Sequence, residues 1–197
     1  MKRVLCYLIL LFVSGASALQ GQQQPPFIFT VYGGLYFPSY MHFREVYKSG
    51  SDLIWGVGAM LPVRGTIYLI GDAAFFRSQG FIDPTIDSMS VLQERFFHVG
   101  GLMKQPLSKT DFVRVSLGVN YVFVTQTTSS SQSPDNIIEL DKKLGYFGGV
   151  GVEHYIGEAQ ISLFGDLVYD YSRSHQKELE GDFGGLRLVV GVHLFLQ

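Results

Sequence analysis

The sequence predicts an all-β protein, an eight-stranded antiparallel up-and-down transmembrane β-barrel. Three observations predict it. Beyond its first twenty-odd residues the chain runs as about eight segments of alternating apolar and polar residues. The connections between those segments are by turns short and long, which is how a meander reads when one rim is tight and the other looped. Glycine is abundant at 23 residues and aromatics reach 14%, yet no window shows the i, i+3, i+4, i+7 apolar recurrence of an amphipathic helix.

Residues 1–18 read as a secretory signal peptide. Lys2 and Arg3 precede an apolar run from Val4 to Val13, and Ala16-Ser17-Ala18 supplies a small-residue cleavage site. That run is too short to cross a bilayer as a helix. Cleavage removes Cys6, the single cysteine, so disulfides and thiolate metal sites are excluded. It also takes the 15 Lys and Arg down to 13 against 17 Asp and Glu, a net of −4 that suits no nucleic-acid surface. The remaining 179 residues fit one domain, with Leu19–Pro26 as a short periplasmic tail and 27–197 as the barrel.

The first predicted strand, Phe27–Phe37, starts after Pro25-Pro26 and points Tyr32 and Tyr36 to one side. The second, Leu53–Leu61, alternates Gly56 and Gly58 with Trp55. In the third, Thr66–Phe76, Asp72 shares parity with Tyr68 and Ala74, while Ile67, Leu69, Gly71, Ala73 and Phe75 take the other face. The fourth, Phe96–Lys104, puts His98 and Gly100 opposite Phe97. The fifth, Phe112–Thr125, separates Arg114, Ser116, Gly118 and Asn120 from Val113, Val115, Leu117, Val119, Tyr121 and Phe123. The sixth, Leu144–Tyr155, places Phe147, Gly149, Gly151 and Glu153 together. The seventh, Gln160–Tyr171, splits Ser162, Asp166 and Asp170 from Ile161, Leu163, Leu167, Tyr169 and Tyr171. The eighth, Gly185–Phe195, alternates Arg187, Gly191 and His193 with Leu186, Leu188, Val190, Val192 and Leu194. Each segment is near or above the roughly 9 to 11 residues that a tilted strand needs to cross hydrocarbon.

One face of each strand is almost free of charge, and a Lys or Arg on a lipid-facing wall costs roughly 2 to 4 kcal/mol at mid-membrane. The apolar face is therefore assigned to lipid and the polar face to the lumen. A soluble sandwich or lipocalin-like barrel would reverse this, making Arg114, Glu153, Asp166 and Arg187 solvated surface. Against that stand the unbroken apolar faces and the clustering of aromatics by height. Phe37, Trp55, Phe75, Phe97, Tyr121, Phe123, Tyr146, Tyr169 and Tyr171 all fall near the long-loop ends of their strands, as an outer aromatic girdle would. Phe27 and Phe29 are the best members of a thinner opposite girdle.

An eight-stranded barrel is just wide enough to be filled by side chains. The predicted filling is Tyr32, Tyr36, Phe147 and Phe164 with a polar network of Asp72, His98, Arg114, Asn120, Glu153, Asp166, Asp170 and Arg187, and inward glycines make the room. Reflecting each hairpin about its turn sets Asp170 level with Arg187, Arg114 with Glu153, and Asp72 with His98. Ion pairs there form a structural plug without a continuous water pore; the competing reading is a narrow ion or small-solute channel.

On strand count, alternation and loop asymmetry, the chain resembles the small eight-stranded outer-membrane barrels of the OmpX and OmpA-transmembrane-domain, porin-family-like type. The resemblance implies a monomer in the cell outer membrane of a Gram-negative envelope, with both termini periplasmic, long loops outside and lipopolysaccharide as lipid partner. Such barrels usually end on an aromatic residue; here the end is Phe195-Leu196-Gln197, with Phe195 on the lumen parity. No periplasmic cell-wall-binding domain is expected.

Some barrels of this size resemble lipid A acyltransferases or deacylases, which need a histidine-activated serine or water at the outer leaflet. Of the five histidines, His98 and His193 point inward, His154 lies near the periplasmic rim, and only His42 and His175 are in outer loops. No His-x-Ser pair sits on a lipid-facing strand. No catalytic residue, metal site or cofactor is assigned, and the acidic run Glu178–Asp182 lacks the ligand spacing of an EF-hand. The loops Phe81–Glu94 and Gln126–Lys143 mix apolar and polar residues and offer edges to an extracellular protein or surface ligand. The predicted role is envelope-structural or surface-interaction, by adhesion or binding, with no catalysis.

Overall fold

The computed structural model describes residues 27–39, 43, 47, 50–83, 88–130, 133–139, 143–157, 160–174 and 181–196. The signal peptide, the tail Leu19–Pro26, His42, His175, Glu178 and Glu180 lie outside the described residues. The described residues form eleven strands: β1 Phe27–Pro38, β2 Asp52–Arg64, β3 Ile67–Asp83, β4 Ser88–Pro106, β5 Asp111–Ser130, β6 Ser133–Glu139, β7 Lys143–Tyr155, β8 Ile161–Tyr171, β9 Arg173–Ser174, β10 Gly181–Asp182 and β11 Gly185–Leu196.

Eight of these, β1 to β5 with β7, β8 and β11, build a closed antiparallel barrel. The order around it is β4-β3-β2-β1-β11-β8-β7-β5, and pairing of β4 with β5 closes the ring. The first and last strands meet from Phe27↔Leu196 to Pro38↔Gly185. Side chains alternate between lumen and wall because strand side chains have a period of two: β11 reads buried, exposed, buried, exposed from Gly185 to Leu188. The exposed set is apolar. Leu53, Trp55, Val99, Leu117, Val150, Val152, Leu188 and Val190 are each more than half exposed.

Two turns at the short-connection end depend on glycine in the left-handed region, Gly65 with φ 57° and Gly157 with φ 51°. The third is fastened by side chains, since the Ser108 hydroxyl accepts from the Thr110 and Asp111 amides at 3.2 and 3.0 Å and donates to the Asp111 carboxylate.

At the opposite end the strands run further than the sequence predicts. β3, β4 and β5 have 17, 19 and 20 residues, and pairing of β3 with β4 continues from Arg77↔Gln93 to Asp83↔Ser88. The stretches Phe81–Glu94 and Gln126–Lys143, expected as loops, thus contribute ribbon, because alternation of β-prone residues does not stop where the wall ceases to be apolar. β6 adds to β5 from Thr125↔Glu139 to Ser130↔Ser133. Strands β3 to β6 stand together as a four-stranded flap beyond the aromatic rings.

The lumen is packed in layers. At the short-turn end Ile28, Met60, Tyr68, Leu102 and Phe195 form an apolar floor. At the long-loop end Tyr36, Ile54, Phe76, Leu92, Phe96, Val122 and Val124 form a second apolar layer. Phe43 and Tyr47, from the β1–β2 connection, join that layer although no periodic pattern in the sequence marks them. Their rings stack at 4.8 Å, Phe43 lies 6.0 Å from Phe76, and the Tyr47 hydroxyl bonds Ser90 Oγ at 3.0 Å.

Inward glycines are filled by neighbours. A Cβ on Gly191 would fall 2.6 Å from the Phe164 ring, whereas one on Gly101, which faces out, meets nothing within 4 Å. Gly191→Val is expected to cost about 1 to 3 kcal/mol through overpacking. Gly101→Ala should be neutral to stabilising by up to about 1 kcal/mol. Urea unfolding of the refolded barrel in micelles measures both.

Candidate functional site

Between the apolar layers lie two clusters of charge. The upper one is centred on His98, buried on β4. Its Nδ1 is 2.9 Å from Asp72 Oδ1 on β3, and its Nε2 is 2.9 Å from Asp170 Oδ1 on β8. Two carboxylates on either side of one imidazole suit a ring with hydrogens on both nitrogens. Arg187 on β11 sends Nε to Asp170 Oδ2 at 2.6 Å. Asn120 donates to Asp170 at 3.2 Å, and Tyr32 donates its hydroxyl to Asp72 at 2.6 Å. Two anions thus face one guanidinium and one imidazole.

The lower cluster contains a partner absent from the network predicted by sequence, Lys104. Its Nζ is 2.8 Å from Glu153 Oε2 and sits over the rings of Tyr68, Tyr155 and Phe195 at 4.8, 5.6 and 5.9 Å. Glu153 also accepts from Ser162 at 2.6 Å and lies 3.7 Å from Arg114. Arg114 reaches Asp166 at 3.3 Å and packs over Phe164 at 4.4 Å. Arg114 also donates to His193 Nε2, so His193 carries its hydrogen on Nδ1 and donates it to Thr30 Oγ1 at 2.8 Å. Lys104, His193, Thr30 and Ser162 all share the inward parity of their strands, the one signal that makes them legible.

All eight lumenal residues predicted from the sequence lie inside the barrel, and the three paired groups come together. Asp72 and His98 are direct register partners. Asp170 is opposite Gly185, two positions from Arg187, and Glu153 is opposite Phe112, two positions from Arg114. Long side chains close that diagonal offset. A cavity of about 60 Å³ separates the clusters, lined in part by Tyr32, Asp72, Arg114, Asp166 and Arg187. Its walls are mixed, with Leu102, Phe164 and Val189 beside those charged groups.

Above the upper cluster, buried Glu94 accepts from the Tyr36 hydroxyl at 3.1 Å, and its Oε1 has no hydrogen-bond partner among the described residues. No group of three or more His, Cys, Asp or Glu suited to a metal is found among the described residues. On the outer wall, the aromatic residues ring the long-loop end. Trp55 stacks on Phe75 at 4.6 Å and Tyr146 on Tyr171 at 5.6 Å, while Phe123 meets both Phe97 and Tyr121 edge-on. At the other rim, exposed His154 Nδ1 lies 2.7 Å from Asp111 Oδ1. That imidazole, and then the Ser108 hydroxyl, hold the Asp111 carboxyl below its ordinary value.

No protein-family model matches the chain, and no curated protein sequence matches it. Solved structures do. A major outer membrane protein from Thermus thermophilus is similar with a TM-score of 0.62 at 17% identity, covering 85% of this chain and 98% of that one. Neisserial surface protein A gives 0.52 at 12% identity, over 86% and 96%. Ail, the attachment invasion locus protein of Yersinia pestis, crystallised with the heparin analogue sucrose octasulfate, gives 0.51 at 11%, over 85% and 97%. The chain has the fold of the small eight-stranded outer-membrane β-barrels.

Asp170→Asn leaves Arg187 and His98 short of an anion in a buried site and is expected to destabilise the barrel by about 3 to 5 kcal/mol, read by urea unfolding in micelles. For Asp111 the depressed value means that its contribution to stability is full above the ordinary aspartate range and is lost as pH falls through the folded value. In an NMR titration the Asp111 side-chain midpoint should rise toward that ordinary range in His154→Ala.

Proposed function

We propose that the protein is an integral outer-membrane barrel that acts at the cell surface through its protruding flap, as an adhesion or binding protein, and carries out no catalysis. It is exported by the signal peptide cleaved after Ala18. Both termini are periplasmic and the long-loop end faces outside. The observation that carries this reading is the flap: β6 pairs with β5 along one edge, and no strand pairs its other edge among the described residues. An unpaired edge of this kind offers main-chain donors and acceptors to an added strand. Ail, with its heparin analogue, and neisserial surface protein A lend support from proteins of the same fold.

The lumen argues against a transport role. Apolar layers pack on both sides of the charged interior, and a cavity of about 60 Å³ lies between its two clusters. Among the described residues no histidine is placed for the lipid A-modifying alternative: His98 and His193 are committed to lumenal partners, and the Asp111–His154 pair stands at the wrong rim for an outer-leaflet substrate.

Two experiments test the reading. Replacing residues 79–92 by a short turn should abolish binding of cells displaying the protein to epithelial monolayers; undiminished binding overturns the interaction role. Planar-bilayer recording of purified protein should give no steady conductance steps, and steady steps would overturn the closed lumen.

A further inference from the structure

On the outer wall, the apolar belt of β3 runs through Ile67, Leu69, Gly71, Ala73 and Phe75 and ends in an arginine, Arg77. On β4 the neighbouring outward position level with Phe75 is also an arginine, Arg95. Arg77 is opposite Gln93 and Arg95 lies two residues further on, so the two arginines are same-face diagonal neighbours, roughly 7 to 8 Å apart at the backbone. Both are exposed, and neither has an acidic partner among the described residues. They flank a groove of about 480 Å³ whose apolar side is the stacked pair Trp55 and Phe75. Asp52 and Glu94 also line it, but Asp52 Oδ1 accepts from the Leu53 amide at 2.8 Å, and the Glu94 carboxylate is buried inside the barrel on the Tyr36 hydroxyl.

Juxtaposed like charges at the end of an apolar belt need a reason. A guanidinium at mid-membrane costs roughly 2 to 4 kcal/mol, falling to about 0 to 1 at the interface, so these two mark the headgroup level. A phosphomonoester carries up to two negative charges there and matches two guanidinium forks, whereas the phosphodiester of an ordinary phospholipid brings one. The rings of Trp55 and Phe75 below supply an apolar bed for the attached chain.

We propose that Arg77 and Arg95 bind a phosphomonoester of lipid A, holding one phosphorylated glycolipid of the outer leaflet against β2–β4. This rests on the outer-membrane reading and its orientation. The site anchors the foot of the flap: the strands that carry the arginines are the strands that protrude.

Native mass spectrometry of the refolded barrel tests it, after incubation with bisphosphorylated lipid A and stripping in detergent. Wild type should retain one lipid A. The double variant R77Q/R95Q should retain at least ten-fold less, R77K/R95K an intermediate amount, and dephosphorylated lipid A or phosphatidylglycerol should be held at least ten-fold more weakly by wild type. Equal retention by R77Q/R95Q overturns the site, and equal retention of phosphatidylglycerol overturns the phosphomonoester. Circular dichroism and heat-modifiable migration in gels, run on the same samples, separate the two levels. Failure of the wild type to form a barrel in micelles overturns the membrane reading and the proposal with it, while a folded barrel that retains no lipid A overturns the proposal alone.

Discussion

Hydrocarbon offers no hydrogen bonds, so a sheet that crosses it can leave no edge open. The pairing of β4 with β5, from Met89↔Ser129 to Pro106↔Phe112, removes the last edge within the wall. Everything else follows from that closure. It forces alternate residues inward, where eight strands leave only enough width for side chains. It also forces the others into lipid, where only apolar groups and interfacial aromatics are tolerated.

The interior answers this constraint with mutual neutralisation. Each charged layer contains as many carboxylates as cationic partners, Asp72 and Asp170 with Arg187 and His98, Glu153 and Asp166 with Lys104 and Arg114. Aromatic and aliphatic side chains pack above and below both layers, and within them the charges bond one another. A buried network paired in this way fixes register and geometry more than it adds free energy, since the desolvation of each ion offsets most of the attraction.

Much of this is legible in the sequence because a period of two is a strong signal when one face must be free of charge. The parity of Asp72, Arg114, Asp166 and Arg187 sets inside and outside, and hairpin reflection brings the ion pairs to within two residues. Lys104 has the same inward parity, but it lies near the end of its strand, where a lysine is equally suited to the aqueous rim, and parity alone does not separate the two; the rings of Tyr68, Tyr155 and Phe195 hold it inward. Phe43 and Tyr47 escape because a connection has no periodicity to read, and their burial depends on a lumen assembled from distant strands. The excess length of β3, β4 and β5 is hidden because ribbon in water obeys the same alternation as ribbon in lipid. Arg77 and Arg95 lie in plain view on the outward parity, but their adjacency depends on the β3–β4 register.

The arrangement of Arg187 has a consequence for how the molecule is made. It sits on β11, the C-terminal strand, whose neighbours are β1 and β8, and its guanidinium serves Asp170 on β8 while also approaching His98 on β4 and Tyr32 on β1. The β8–β11 hairpin by itself brings Arg187 to Asp170, whereas its approach to Tyr32 lies across the seam where the first and last strands meet. One guanidinium thus ties the last hairpin to strands on both sides of the closing seam, to β8 by its ion pair and to β1 through Tyr32.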